Sequence, residues 1–157
     1  MKRREFFSSL SQAFKKEEKD MEVYPPYFKD KTDFEKCKSC DDKRCKDICE
    51  ERIIFIVDGK PVLDFSKSGC TFCDECALAC GDVLKVEHKR RLPALEIDMI
   101  ECLAWHSTIC SSCKDVCLDE AIEFLGLFKP QINDRCTGCG FCVGVCPTNA
   151  LKYKEIG

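Results

Sequence analysis

A chain of 157 residues is long enough for one domain of ordinary size or two very small ones, and its 16 cysteines make up about a tenth of it. The 25 basic and 28 acidic side chains leave a formal net charge of −3, which argues against a nucleic-acid partner held by a basic surface. No apolar run approaches the ~18 residues of a membrane-spanning helix, so no transmembrane segment is predicted.

Residues 1–36 contain no cysteine and are predicted to form an N-terminal docking or covering segment. Arg3-Arg4 with Phe6 resembles a twin-arginine export signal, but no apolar stretch or small-residue cleavage site follows, so we expect a cytoplasmic chain. Aromatic and aliphatic residues recur at helical spacing between basic ends, which indicates an amphipathic helix. This helix docks on a protein partner or a membrane surface, or folds back on the chain, and these alternatives stay open. The residues are Phe6, Phe7, Leu10 and Phe14.

The segment Tyr24-Pro25-Pro26-Tyr27-Phe28 follows. Its two prolines make it rigid, and its aromatic side chains predict that it covers an edge of the core.

The cysteines fall into four groups of four with none left over. The second and fourth groups read C-x2-C-x2-C-x3-C, the bacterial ferredoxin signature for 4Fe–4S clusters. The first group has four residues between its second and third cysteines, and the third group has seven between its first and second. The groups are Cys37, Cys40, Cys45 and Cys49; Cys70, Cys73, Cys76 and Cys80; Cys102, Cys110, Cys113 and Cys117; and Cys136, Cys139, Cys142 and Cys146.

This spacing favours clusters over the other uses of abundant cysteine. Three thiolates two residues apart let one short loop bind three corners of a cube, while the fourth cysteine points to a neighbouring cluster. Zinc prefers two close pairs brought together across roughly a dozen or more residues, and disulfides prefer spread cysteines in an oxidising compartment. We therefore predict that all 16 cysteines bind the iron of four 4Fe–4S clusters, with a zinc scaffold as the alternative.

Apolar pairs follow the last cysteine of every group and predict short strands in the gaps between groups. Asp58-Gly59 between two β-rich runs is a strong hairpin signal, and Gly126 marks a second hairpin. The middle gap is looser because its turn is a charged stretch at residues 87–91. The predicted strand pairs are 53–57 with 62–65, 83–86 with 95–97, and 121–125 with 130–132.

These features predict an α+β fold of two tandem bacterial-ferredoxin-like units, each with two 4Fe–4S clusters, small β-hairpins, short helices and little regular secondary structure. The units are predicted at 37–100 and 101–157. Groups one and two, and groups three and four, are closest in sequence, so we favour sharing of fourth cysteines within those pairs. A nested arrangement, with group one beside four and two beside three, is the alternative. We expect the chain without iron to be largely unfolded.

The third group carries the most specific motif, in which Cys102-Leu103-Ala104-Trp105 opens the seven-residue insertion. Further matching segments are Arg3-Arg4, Pro25-Pro26-Tyr27, residues 69–80, Cys113-Lys114-Asp115-Val116-Cys117, and residues 136–147. In these segments, and over nearly its whole length, the chain resembles the family of ferredoxin-type NapF proteins that accompany periplasmic nitrate reductase. The four residues in the first group depart from the family, which usually has two at that point.

The resemblance implies a cytoplasmic protein with several 4Fe–4S clusters that is implicated in maturing the catalytic molybdenum subunit of the reductase before export. The expected partners are the precursor of that subunit and other redox proteins. The alternative is an integral electron-transfer subunit of a respiratory or hydrogenase-like complex.

We predict an electron carrier or maturation accessory without a substrate site of its own, rather than an enzyme. The sequence has no Gly-rich phosphate loop, dinucleotide fingerprint or serine elbow. It has only two histidines, His88 and His106. His106 lies in the insertion and could donate to a cluster sulfide, although packing or solvation is the more common role of a loop histidine.

Overall fold

The computed structural model describes residues 21–154, so the predicted amphipathic helix and the Arg3-Arg4 segment lie outside the described residues. No helix in this range is both long enough and apolar enough to cross a membrane. In chain order, the elements are the 3-10 helix Lys31–Ser39, α1 (Arg44–Asp47), β1 (Ile54–Val57), β2 (Lys60–Leu63), α2 (Glu75–Cys80), the 3-10 helix Val86–His88, β3 (Leu95–Ile97), the 3-10 helix Leu103–His106, α3 (Ser112–Asp115), β4 (Ile122–Leu125), β5 (Phe128–Ile132), α4 (Phe141–Val145) and β6 (Leu151–Tyr153). These small strands and short helices fit the predicted ferredoxin-like α+β fold.

Two of the predicted hairpins are confirmed. β1 and β2 are antiparallel, with Val57 opposite Lys60. The intervening Asp58 and Gly59 have φ angles of 48° and 80°, as a two-residue hairpin turn of this kind requires. β4 and β5 form the second hairpin, which turns at Gly126 with φ 72°.

The predicted hairpin in the middle gap is wrong. β3 pairs with β6 instead, with Leu95 opposite Tyr153 and Ile97 opposite Leu151. Residues 83–86 form no strand, and the chain continues into the 3-10 helix Val86–His88. As a result, the third and fourth cysteine groups lie along the chain between two strands that pair with each other, β3 and β6.

The charged stretch at 87–91 is not a hairpin turn because its side chains bind elsewhere. Lys89 Nζ donates to the Phe72 carbonyl at 2.9 Å and forms an ion pair with Asp74 at 2.7 Å. Arg90 donates through its guanidinium to the Phe28 carbonyl at 2.7 Å. These contacts hold the stretch against the first half of the chain. The stretch therefore does not fold back as a turn between residues 83–86 and β3. The division into segments 1–36, 37–100 and 101–157 stays a prediction.

The first core confirms the covering role predicted for residues 24–28. Pro25, Pro26 and Tyr27 are among the most deeply buried side chains, together with Phe34. The Tyr24 ring stacks on Phe34 at 4.5 Å between centroids. This aromatic segment therefore closes one side of the body that carries the first two cysteine groups.

The second core is much smaller. Within the described range it consists of four buried residues, contributed by β3, β4, α4 and β6. They are Leu95, Ile122, Cys142 and Leu151.

Phe34→Ala is expected to destabilise the iron-loaded chain by about 3–5 kcal/mol, because it empties a fully enclosed aromatic site. Phe55→Ala is the matched control, since Phe55 on β1 is 47% exposed whereas Phe34 is 0% exposed. We expect a much smaller loss for the control. Anaerobic urea unfolding of both variants checks this, and equal shifts of the two midpoints would contradict the packing described here.

Candidate metal centres

The third cysteine of every group lies at the start of a short helix. Cys45, Cys76, Cys113 and Cys142 each occupy the second position of α1 to α4. Three of the four helices are preceded by a residue with positive φ, which turns the chain sharply. In the second group, the loop cysteines Cys70 and Cys73 and the helix cysteine Cys76 line the same cavity. The residues with positive φ are Lys43, Asp74 and Gly140.

The fourth cysteine of three groups accepts a backbone hydrogen bond from the residue four positions later. The donors are the N–H groups of Leu84, Ala121 and Ala150, at 3.4, 3.3 and 3.2 Å from the sulfur. All three donor residues belong to the apolar pairs noted in the sequence, and all are buried. An N–H aimed at a sulfur stabilises the thiolate, which is the form that binds metal. The acceptors are Cys80, Cys117 and Cys146.

One cavity is surrounded by three cysteines of the third group and the last cysteine of the fourth group. Counting the space at its open mouth, it measures about 370 Å³. Apolar side chains from β3, the 3-10 helix Leu103–His106 and β6 complete its wall. The cysteines are Cys102, Cys110, Cys113 and Cys146.

A second cavity repeats this arrangement in the first half of the chain. It measures about 460 Å³ by the same measure and lies between the aromatic covering segment and the β1–β2 hairpin. Here the last cysteine of the first group joins three cysteines of the second group. The cysteines are Cys49, Cys70, Cys73 and Cys76.

The other eight cysteines are related through their electrostatic neighbours. The pKa of the Cys45 thiol is raised to about 11, mainly by burial and then by the neighbouring thiols of Cys80, Cys37 and Cys40. Burial also raises the pKa of Cys142. The neighbouring thiols raise this pKa further, and they are Cys139, Cys113, Cys136 and Cys117. Cys80 is thus an electrostatic neighbour of Cys45 and Cys37. Cys117 is likewise an electrostatic neighbour of Cys142 and Cys139, and Cys113 also neighbours Cys142.

These sets suit iron–sulfur clusters by the chemistry of their donors. Each set offers four soft sulfur ligands and no oxygen ligand of its own. Burial raises the pKa of Cys76 to about 12, with smaller contributions from the neighbouring thiols of Cys70 and Cys73. A positively charged metal centre bound by these residues would reverse this effect and hold their sulfurs as thiolates. Among residues 21–154, no three Cys, His, Asp or Glu side chains converge as ligands of a single ion would.

The two irregular loops have structural explanations. In the four-residue loop of the first group, Lys43 Nζ donates to the Cys37 carbonyl and, at 3.0 Å, to the Gly59 carbonyl. This lysine ties the longer loop to the β1–β2 turn. In the seven-residue loop, Ala104 is buried and Trp105 Nε1 donates to the Pro130 carbonyl at 3.3 Å. Both insertions are therefore anchored on the neighbouring hairpins.

The two histidines contact other groups than the sulfurs. His106 Nε2 donates to the Ile100 carbonyl at 2.7 Å and is exposed. His88 Nε2 lies 3.6 Å from a carboxylate oxygen of Glu87. The bond to Ile100 favours the packing role of His106 over donation to a cluster sulfide.

Tyr153 is a residue of the site that sequence reasoning missed. Its hydroxyl donates to the Gly138 carbonyl at 2.9 Å, and its ring centroid lies 5.2 Å from that of Phe65. Burial raises the pKa of this hydroxyl, and thiols from both halves of the chain add to the shift. The only available signal was alternation along β6, which places Tyr153 on the face of buried Leu151. The thiols are Cys142, Cys139, Cys136 and Cys70.

Comparison with known proteins gives the following relatives. The family model of the 4Fe–4S binding domain matches residues 130–152. The ferredoxin-type protein NapF of Escherichia coli K12 is 34% identical over 142 residues, which cover 85% of each chain. The NapF protein of Haemophilus influenzae is 32% identical over 85% of this chain and 80% of its own. An uncharacterized ferredoxin of Methanocaldococcus jannaschii is 33% identical over 60% of this chain and 62% of its own. No solved structure matches.

Proposed function

Since this chain belongs to the family of ferredoxin-type NapF proteins, we propose that it is a cytoplasmic carrier of four 4Fe–4S clusters that assists maturation of the catalytic subunit of a periplasmic molybdenum nitrate reductase. The family supports an iron–sulfur electron-transfer role directly. The expected partner is the precursor of the catalytic subunit, together with other redox proteins.

The observation that carries the proposal is the cavity in which Cys146 joins Cys102, Cys110 and Cys113. A fourth ligand supplied by the neighbouring group is the arrangement of two-cluster ferredoxins. We assign four ligand sets on this basis and name each by its first cysteine. The Cys37 set is Cys37, Cys40, Cys45 and Cys80; the Cys49 set is Cys49, Cys70, Cys73 and Cys76; the Cys102 set is Cys102, Cys110, Cys113 and Cys146; and the Cys117 set is Cys117, Cys136, Cys139 and Cys142.

The protein's contribution to this chemistry is to hold and tune the sulfurs. A bound 4Fe–4S cluster accepts and returns one electron. The buried N–H donors of Leu84, Ala121 and Ala150 stabilise negative charge on the sulfurs they contact. Both cysteine cavities are lined mainly by sulfur and apolar side chains, which supports a carrier without its own substrate site.

Anaerobic purification followed by iron and zinc analysis tests the cofactor. We expect brown protein with about 16 iron atoms per chain and, after reduction, the electron paramagnetic resonance of 4Fe–4S clusters. Colourless protein that holds zinc would overturn the proposal. The metal content decides between these outcomes without any partner.

Anaerobic capture of the full, iron-loaded chain tests the accessory role. A tagged chain is expected to retain the precursor of the molybdenum subunit and to be found mostly free of the mature enzyme. The same chain purified with a stable, stoichiometric oxidoreductase complex would favour the integral subunit instead. Failure to capture the precursor, with full iron content, would argue against the maturation role.

A further inference from the structure

The two halves of the chain meet at the cysteine loops themselves. The Cys70 N–H donates to the Cys139 carbonyl at 2.7 Å. Cys70 belongs to the Cys49 set and Cys139 to the Cys117 set, so one hydrogen bond joins ligands of two different sets. The Leu92 N–H donates to the Thr137 carbonyl at 3.0 Å, which is a second hydrogen bond from the first half of the chain to the Cys139 loop. We refer to this contact between the Cys70 and Cys139 loops as the junction.

The junction is too close for side chains. A Cβ on Gly69 would lie 2.5 Å from the Phe141 ring and 2.6 Å from its backbone nitrogen. A Cβ on Gly140 would overlap the Phe65 ring. Both glycines are buried, and each immediately flanks a cysteine of the contact. The glycines therefore let the two loops approach to backbone contact.

An aromatic side chain fills the space beside the junction. Tyr153 binds the Gly138 carbonyl, and its ring packs on Phe65. Its electrostatic neighbours include three thiols of the Cys117 set and Cys70 of the Cys49 set. Tyr153 thus contacts both halves of the chain, through Gly138 in the second half and Phe65 in the first.

We propose that the junction is where electrons cross between the halves of the chain, so that the four sets form one series. This inference rests on the proposed function. Electrons pass along the series in the order Cys37 set, Cys49 set, Cys117 set and Cys102 set, or in the reverse order. One crossing oxidises one site by a single electron and reduces its neighbour by one, with no bond made or broken and no proton moved. The end sets exchange electrons with one-electron redox proteins.

A full-length variant that lacks two ligands of each end set isolates the junction. Cys37→Ala, Cys40→Ala, Cys110→Ala and Cys113→Ala together are expected to leave about eight iron atoms per chain. On full reduction with dithionite, magnetic interaction across the junction is expected to split the electron paramagnetic resonance signals of the two remaining centres. A simple sum of two isolated signals at that iron content would overturn the proposal. Retained iron distinguishes that outcome from failure of the proposed function.

If the four substitutions prevent folding, a single substitution in the complete chain tests the same junction. Gly69→Ala in the complete chain is expected to push the loops apart and narrow the splitting, because magnetic coupling falls steeply with distance. Leu127→Ala is the control, since the Leu127 side chain is 72% exposed. We expect unchanged spectra for the control and full iron for both. Identical spectra from both variants would overturn the proposal.

Discussion

Removing Cys80 from a chain that already lacks Cys37 and Cys40 is expected to leave its iron content unchanged at about twelve atoms. Removing Cys49 from the same chain is expected to lower it to about eight. Cys80 lies among the cysteines of a set already disabled, whereas Cys49 lines the cavity of an intact set. Iron analysis of the three anaerobically purified variants measures the difference.

The two added substitutions are closely matched. Cys49 and Cys80 are both the last cysteine of their group, and each is separated from the preceding cysteine by three residues, with an apolar pair shortly beyond. If each group bound a cluster with its own four cysteines, the outcome would be reversed, and Cys80→Ala would cost the second cluster. A nested arrangement predicts loss of further iron with either substitution. The experiment therefore separates all three arrangements.

Local spacing was sufficient to predict the features that are encoded within one loop. Asp58-Gly59 and Gly126 marked two hairpins because their turns need residues that tolerate positive φ. The rigidity of Pro25-Pro26 and the aromatic residues beside them were sufficient to predict a covering segment. Each of these signals lies within about ten residues of the structure it determines.

The features that sequence did not predict depend on contacts between distant residues. Leu95 pairs with Tyr153 rather than with a nearby strand, and no local signal distinguishes the two partners. Sequence spacing favoured the third group as the neighbour of Cys146 but kept a nested arrangement as the alternative, and the cavity that Cys146 shares with the third group forms only in the folded chain. Gly69 precedes a cysteine in an ordinary loop, and its role emerges only when Phe141 lies against it. Long-range packing decided all three.

Removing iron with a chelator is expected to unfold residues 95–154 before residues 21–92. Backbone amides in the second segment are expected to exchange roughly tenfold faster or more, because their small core depends on bound iron. Anaerobic hydrogen exchange with mass spectrometry, sampled during chelation, measures both segments in one experiment. A mock-treated sample is the control, and protection that survives chelation in both segments would contradict the prediction.

The expected order of unfolding follows from the core contacts that remain in each half after the iron is removed. The second core keeps Leu95, Ile122 and Leu151 around a cysteine, and each aliphatic side chain contributes about 1.5–3 kcal/mol by burial. The first core keeps Tyr27 and Phe34 with the aromatic residues stacked on them. β3 and β6 hold only three residue pairs, which the Asp98 N–H to Ala150 carbonyl and Lys154 N–H to Ala94 carbonyl hydrogen bonds extend, so without iron the two ends of the second half are joined mainly by this short ladder. Its loss then exposes the junction, whereas the first half keeps its larger aromatic core and opens later.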